Sequence, residues 1–406
     1  MNILPEITTK TIAFKLRAKA ERMIKKKHPW VFEDSIVKQS IDGNAGDVAV
    51  IYDHKKNKFL ACGLYDPFSP IKIKMLHFGK ATKIDSFFFK SKIQKAFEKR
   101  AELLKTDTNS YRLIYGEADG MPSFIADVYN NVLVIKLYSA IWFPYLNDLL
   151  TVLVEITSCK TVVLRLSRNV AKLKNNFGLK DGQVIYGKLD NNVVEFMEHG
   201  IHFSANVIYG HKTGYFLDHR ENRRRVGSLS KHKTVLDVFS YAGGFSVHAL
   251  ANGAKEVTSL DISSQALKVA EQNAKLNKFS GVHKTIAADA FKGLQELINQ
   301  KNKFDIVIID PPSFAKSAKE IERAKHSYER LANLGCKLVN DNGILVLASC
   351  SSRIVADDFF AICESSLQNN SIQYKILDTT LHDLDHPVIL SFPEGAYLKC
   401  RYYQFN

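Results

Sequence analysis

From about residue 195 onward the chain alternates strand-length apolar runs with segments of helical spacing. The runs are TVLDVFS, EVTSLDI, HKTIAAD, FDIVIID and GILVLASC. Strands that are apolar almost throughout, rather than at every second residue, belong to a parallel sheet covered by helices on both faces. Such a sheet binds its ligands at the carboxyl ends of its strands, where the strand order reverses. The rhythm therefore predicts an α/β fold with a mostly parallel, doubly wound, Rossmann-like sheet, and it also predicts which edge carries chemistry.

Upstream the pattern differs. In residues 1–80, GDVAVIYD, KFLACGLYD and IKIKMLHFG are short apolar runs between Gly and Asp turns, which reads as a small β-rich domain. Before them, AERMIKKKHPWVF places a basic helical turn ahead of Pro29, which is expected to end it. Residues 81–190 mix helical SFFFKSKIQKAFEKRAELLK and WFPYLNDLLTVLVEIT with strands broken by ADG and NN turns, a small central α/β domain. GKLDNNVVEFMEHGIHFSANV reads as a hairpin opening the third domain, 191–406. A length of 406 residues suits two or three domains.

Charge narrows the partner. The formal net charge is +14, and the first 80 residues hold 15 Lys/Arg against 8 Asp/Glu. Such a surface favours a polyanion, because each phosphate neutralised releases counterions. No run of about 18 uninterrupted apolar residues exists, and the start, MNILPEITTK, lacks the basic-then-apolar layout of a signal peptide. A cytoplasmic protein with no membrane partner is expected. The six cysteines lack CxxC spacing, so neither a metal nor a disulfide framework is expected.

Polar residues cluster where the strand ends are predicted. Asp237 lies just before the first loop, Asp261 ends the second run, Asp289 follows the third, Asp310 the fourth and Cys350 the fifth. One acid at a strand end is ordinary, since Asp favours turns and helix N-caps. Five polar residues on successive units would need five coincidences. After the first strand comes SYAGGFS, with Ser240, Ala242, Gly243 and Gly244; the glycines are expected to bring backbone close to a ligand at a helix N-terminus. This is not the GxGxxG spacing tuned to a pyrophosphate. It suits a ligand with an amino-acid part and a ribose. Asp261, 18 residues past Gly243 and followed by Ile262, is placed to receive ribose hydroxyls. Asp289, followed by Ala290, is placed to accept from an adenine amino group. S-adenosylmethionine meets these requirements.

VLDVFSYAGGFSVHAL, SLDIS, AADAF, DPPSFA and LASCSS together resemble a class I S-adenosylmethionine-dependent RNA methyltransferase. KHPWVF, YGEADGMPSFIADVY, KTGYFLDHRENRRRV and DHPVILSFPEGAYLK extend the resemblance over nearly the whole chain, to the PUA-containing 23S-rRNA (cytosine-5)-methyltransferase I family. The resemblance implies an N-terminal PUA RNA-binding domain, a central α/β domain and a C-terminal methyltransferase domain. Its substrate would be large-subunit ribosomal RNA, before or during assembly, and a homodimer is compatible with it. It also implies that Asp310, Pro311, Pro312, Ser313 and Phe314 face a flipped base, the carboxylate accepting from a cytosine amino group or a protonated ring nitrogen. Tyr215, Phe216, Asp218 and Arg220 would line the cofactor pocket with Asp310, while Lys212, Arg223, Arg224 and Arg225 would reach RNA phosphates. Trp30 either stacks on a base or fills the small β core, the core being the better reading.

Cys350 separates the candidate reactions. Carbon-5 of cytosine is a poor nucleophile until a thiolate adds at C6 and turns the ring into an enamine. Flanked by Ser349 and Ser351 at a strand mouth, Cys350 is expected to be an exposed, activated thiol, an inert buried thiol being the alternative. Ser313 stands where many RNA cytosine-5 enzymes carry a second cysteine, which leaves the base for the C5 proton unassigned. Two other readings stay open: a guanine N-methyltransferase (N7 or N2) on the same scaffold, with Cys350 dispensable, and a non-catalytic RNA-binding ribosome assembly factor.

Overall fold

The computed structural model describes residues 4–315 and 317–406. The chain divides into two compact units: Met1–Met197 with Ser204–Leu217 and Leu384–Gly395, and Glu198–Phe203 with Asp218–Asp383 and Ala396–Asn406. Both sheets of the N-terminal half fall within the first.

In that unit six short strands between Thr11 and Phe78 form one sheet. Alternation in Thr11–Leu16 turns Ile12, Phe14 and Leu16 inward, where they meet Ile24, Val31, Ala49, Ile51, Ala61, Ile73 and Met75. The basic helix is Ala18–Lys25, and the chain is already extended again at Trp30–Phe32, beyond Pro29. Gly63 permits a close strand approach: a Cβ there would lie 2.3 Å from the carbonyl oxygen of Lys74. A second sheet takes its five strands, Ser110–Tyr115 to Gln183–Tyr186, in chain order. Helices Ser86–Lys99 and Leu146–Thr157 pack on it around Phe89, Ile93, Trp142, Leu149 and Leu153.

A buried charge cluster fastens the Leu384–Gly395 excursion to this unit. Arg100 is fully buried, and its guanidinium grips Asp119 through two bonds of 3.1 and 2.6 Å. It also donates to the carbonyls of Ala96, Arg112 and Asp385, at 3.1, 3.0 and 3.2 Å. The Asp385 carboxylate accepts the Arg112 backbone N–H at 2.9 Å and lies 3.0 Å from His386 Nδ1. Every direction the guanidinium can donate in is used.

The second unit is built on seven strands. In chain order these are β1 (Thr234–Val238), β2 (Glu256–Asp261), β3 (Val282–Ala287), β4 (Phe304–Ile309), β5 (Val339–Ser349), β6 (Tyr374–Thr380) and β7 (Lys399–Phe405). Their order across the sheet is β3-β2-β1-β4-β5-β7-β6. The first five are parallel, and β7 runs antiparallel between β5 and β6. Helices α1 (Arg220–Leu229), α2 (Gly244–Ala251), α3 (Ser264–Lys275), α4 (Ala290–Asn299), α5 (Ile321–Cys336) and α6 (Ala356–Asn369) complete the unit. The order reverses between β1 and β4. Register sets Val238 beside Leu260 and Ile309, and Ile309 beside Leu347, so β1, β2 and β4 end within a residue of one another at one rim and β5 runs two residues further. Ser349, the last residue of β5, pairs with Lys399, the first of β7.

Candidate active site

The rim gathers the polar residues expected there. Asp237 is the next-to-last residue of β1, Asp261 ends β2, Asp289 caps α4, and Asp310 and Cys350 follow β4 and β5 directly. Two groups form, one around the turn after β1 and one between β4 and β5.

Around the first turn the backbone is unusual. Phe239, Tyr241 and Gly243 all take left-handed conformations, with φ of 64°, 47° and 75°. Two such non-glycine residues in one loop mark stored strain of the kind found at ligand sites. The Tyr241 N–H donates to Asp261 at 2.9 Å, and the other oxygen of that carboxylate accepts the Ser263 N–H at 2.8 Å. Gly243 also serves packing. A Cβ there would lie 2.7 Å from Ala270 Cβ, so the missing side chain lets α3 pack against the turn. Ala242 and Ala290 are buried, Asp289 accepts the Lys292 N–H at 3.2 Å, and Ile262 is 75% exposed beside Asp261.

Asp237 is buried, and one of its oxygens accepts from both Ser246 N–H and Oγ, at 3.0 and 2.7 Å. Its other oxygen is buried with no hydrogen-bond partner among the described residues, as is Ser240 Oγ. Burial pushes the carboxyl up to about 7 against the pull of Ser246, with Asp310 and Asp261 adding to the rise. Orphaned buried acceptors in one turn call for a donor from outside the chain. The ammonium group of S-adenosylmethionine is such a donor, and its ribose can use the remaining lone pairs of Asp261. The residues present fit that ligand.

The second group is tighter. Cys350 Sγ lies 3.8 Å from Asp310 Oδ1 and 3.6 Å from His219 Nε2, and His219 Nε2 lies 3.3 Å from the same Asp310 oxygen. Cys350 is half-buried, whereas the other five cysteines are buried. The expectation of an activated thiol needs correction: burial, then the charges of Asp310 and Asp218, push it well above its ordinary value, and Lys399 only partly offsets them. The thiol of the free protein keeps its proton at neutral pH. After Asp310, Pro311 is buried and Pro312 exposed, Ser313 Oγ reaches the Ala315 carbonyl at 3.4 Å, and Phe314 packs edge-on to Tyr328.

Sequence reasoning missed His219 and Lys399. His219 is buried in the stretch LDHREN, beside singled-out Asp218 and Arg220, but its partners lie 91 and 131 residues away. Lys399, also buried, donates to the carbonyls of Ser351, Ile354 and Tyr397, tying down the loop that carries Cys350. Burial pulls its ammonium down to about 8.

The remaining expected residues are placed as follows. Asp218 accepts from Tyr397 Oη at 2.7 Å, and Arg220 is buried. Arg223, expected at a phosphate, is instead buried against Glu198, with bonds of 3.0 and 2.6 Å that occupy one edge of its guanidinium. Arg224 is exposed and bonds Glu221 at 2.7 Å, and Arg225 pairs with Asp378 at 2.9 Å over the Tyr402 ring. In the first unit, Tyr215 is buried against Phe196, Phe216 is half exposed, and the Lys212 carbonyl accepts from Lys136. Trp30 sits edge-on to Phe392 with centroids 4.6 Å apart, and its indole N–H donates to Glu117 at 3.0 Å.

Comparison with known proteins adds to this geometry. Residues 112–379 match the S-adenosylmethionine-dependent methyltransferase family, and residues 14–78 match the PUA-like domain family. The chain is 43% identical to a ribosomal RNA large subunit methyltransferase of Deinococcus radiodurans, over 99% of both sequences. It is 35% identical to ribosomal RNA large subunit methyltransferase I of an Enterobacter species, over 93% of this chain and 96% of the relative. Its fold is shared with a Streptococcus mutans chain described as a SAM-dependent methyltransferase, with a TM-score of 0.80 and 20% identity over 97% and 99% of the two chains. It is shared equally with a methyltransferase-like structure complexed with SAH, at a TM-score of 0.80 and 20% identity over 98% and 100%.

Proposed function

Because the chain belongs to the S-adenosylmethionine-dependent methyltransferase family, among the PUA-containing ribosomal RNA large subunit methyltransferases, we propose that it forms 5-methylcytosine in large-subunit ribosomal RNA through a covalent Cys350 adduct. The observation that carries this reading is the approach of Cys350 Sγ to the Asp310 carboxylate at the strand-order reversal, 3.8 Å apart.

Asp237 and Ser240 hold the amino-acid end of the methyl donor, Asp261 the ribose, and Asp289 with Ile262 the adenine. When bound, S-adenosylmethionine supplies a methyl group on a sulfonium centre. Asp310 faces the flipped cytosine. It takes the thiol proton from Cys350 and passes it to the ring nitrogen N3, while sulfur bonds to C6 and makes C5 nucleophilic toward that methyl. Once C5 is methylated, its proton leaves to a base, the C6–S bond breaks with return of the electron pair to sulfur, and N3 releases its proton. A high thiol pKa in the free protein suits this order, since the nucleophile is made only when a base arrives to take the proton.

Mass spectrometry of nucleosides from naked 23S RNA, methylated in vitro with labelled donor, tests the assignment. Labelled 5-methylcytosine is expected, and label confined to guanine rules it out. Cys350→Ala is expected to lose turnover by at least about a thousandfold while calorimetry shows unchanged donor binding. The protonated, half-buried thiol also suits a guanine N-methyltransferase, where it is a bystander; that reading predicts an active Cys350→Ala protein.

A further inference from the structure

His219 is the neighbour of Cys350 that the reaction above does not use. Its role depends on which ring nitrogen holds the hydrogen, and the second unit contains the answer. The Asn222 side-chain oxygen accepts from two hydroxyls, Thr380 Oγ1 at 2.6 Å and Tyr402 Oη at 3.0 Å. The same amide presents its NH2 to His219 Nδ1, 3.1 Å away. An N–H aimed at Nδ1 requires a lone pair there, so the hydrogen of the neutral ring sits on Nε2. Nε2 is the atom facing both Cys350 Sγ and Asp310 Oδ1.

We propose that His219 is a positioning residue locked by Asn222 as an Nε2–H donor, which holds the Asp310 carboxylate and steadies the Cys350 thiolate as it forms. It is therefore not the base that removes the thiol proton. A papain-like base needs the opposite arrangement, with Nδ1–H donated to its partner and a lone pair on Nε2. Burial lowers the proton affinity of His219 and Asp310 raises it, with a net upward direction; an imidazolium would set Nδ1–H against the Asn222 NH2. Once the ring is neutral, the position of its one hydrogen decides whether it attracts or repels the new charge. The other groups facing the thiol are Asp310 and Asp218, which oppose ionisation, Lys399, which favours it, and the Tyr328 hydroxyl behind Ser349.

The proposal rests on Cys350 being the nucleophile for its use in catalysis, but its test does not. Iodoacetamide labelling of Cys350 in the full free chain, followed by peptide mass spectrometry across pH, reads the thiol ionisation directly. His219→Leu is expected to raise the labelling midpoint by about one unit, slowing labelling about tenfold below it. His219→Gln, which keeps an N–H donor at similar reach, is expected to stay within about threefold of the parent rate. Asn222→Asp demands Nδ1–H and turns the Nε2 lone pair toward Sγ, so its midpoint is expected to rise. An unchanged or lowered midpoint in His219→Leu overturns the proposal, as does a glutamine variant no better than leucine. If the leucine variant does not fold, an unmoved or lowered midpoint in the near-isosteric Asn222→Asp does the same. Failure to find 5-methylcytosine would sink the cytosine reading and leave this titration untouched.

Discussion

Two buried carboxylates show how differently one fold can treat the same charge. Asp119 in the first unit is gripped by Arg100, which also satisfies three carbonyls, and Lys99 and the Tyr115 N–H complete its shell. Among the described residues, Asp237 in the second unit has only Ser246 on one oxygen and no partner on the other. Arg100, with the Tyr115 N–H, holds Asp119 below its ordinary value against burial, whereas Asp237 rises to about 7. A charge completed from within the chain is structural, and one left open can be completed by a ligand. Glu198, clamped by Arg223 and held to about 2 despite its burial, falls on the structural side.

The contrast breaks most visibly if its closed member is opened. Arg100→Met leaves Asp119 buried without its main partner, and urea unfolding is expected to show a loss of about 3–5 kcal/mol. Asp237→Asn should cost far less stability, because the amide oxygen still accepts from Ser246, yet weaken binding of S-adenosylmethionine about tenfold in calorimetry. Equal effects of the two substitutions on stability would erase the distinction.

Next in size is a dependence on pH. An acid whose folded pKa is raised binds more protons folded than unfolded between its two values. Its contribution to stability is therefore retained below about pH 4 and lost as pH rises toward about 7. Because the ligand's ammonium selects ionised Asp237, donor affinity is expected to rise about tenfold between pH 6 and 7.5, and Asp237→Asn should flatten that rise. Smallest is the exposed Arg224–Glu221 pair. Arg224→Ala is expected to change stability by less than about 0.5 kcal/mol, and if the residue meets RNA, to lower the salt slope of RNA binding by about one.

The same division governs what could be read from the sequence. The five parallel strands were legible because each is an apolar run, and their polar ends marked the rim without any long-range information. Strands β6 and β7 were not, since Tyr374–Thr380 is largely half-exposed and Lys399–Phe405 opens on a lysine whose burial only the fold explains, through the Ser351 and Ile354 carbonyls it meets. The packing role of Gly243 was not legible, because nothing local reveals that Ala270 lies against it. Asp237, Asp261, Asp310 and Cys350 sit at positions a strand end predicts, but His219 enters the cluster from a helix approach with no periodic signature. Arg223 looked like part of a basic run, and only the fold shows it turned toward Glu198.

Strand β7 has a consequence for how the unit reaches its native state. It lies between β5 and β6 yet follows both in sequence, after the chain has made its excursion through Leu384–Gly395. Until it inserts, two raw edges face one another, an opening for wrong pairing and a slow, high-contact-order step. Lys399 arrives with that strand, so the loop bearing Cys350 acquires its anchor only at the close of folding. A trapped intermediate lacking β7 should already hold much of the donor-binding turn while its thiol remains unaligned.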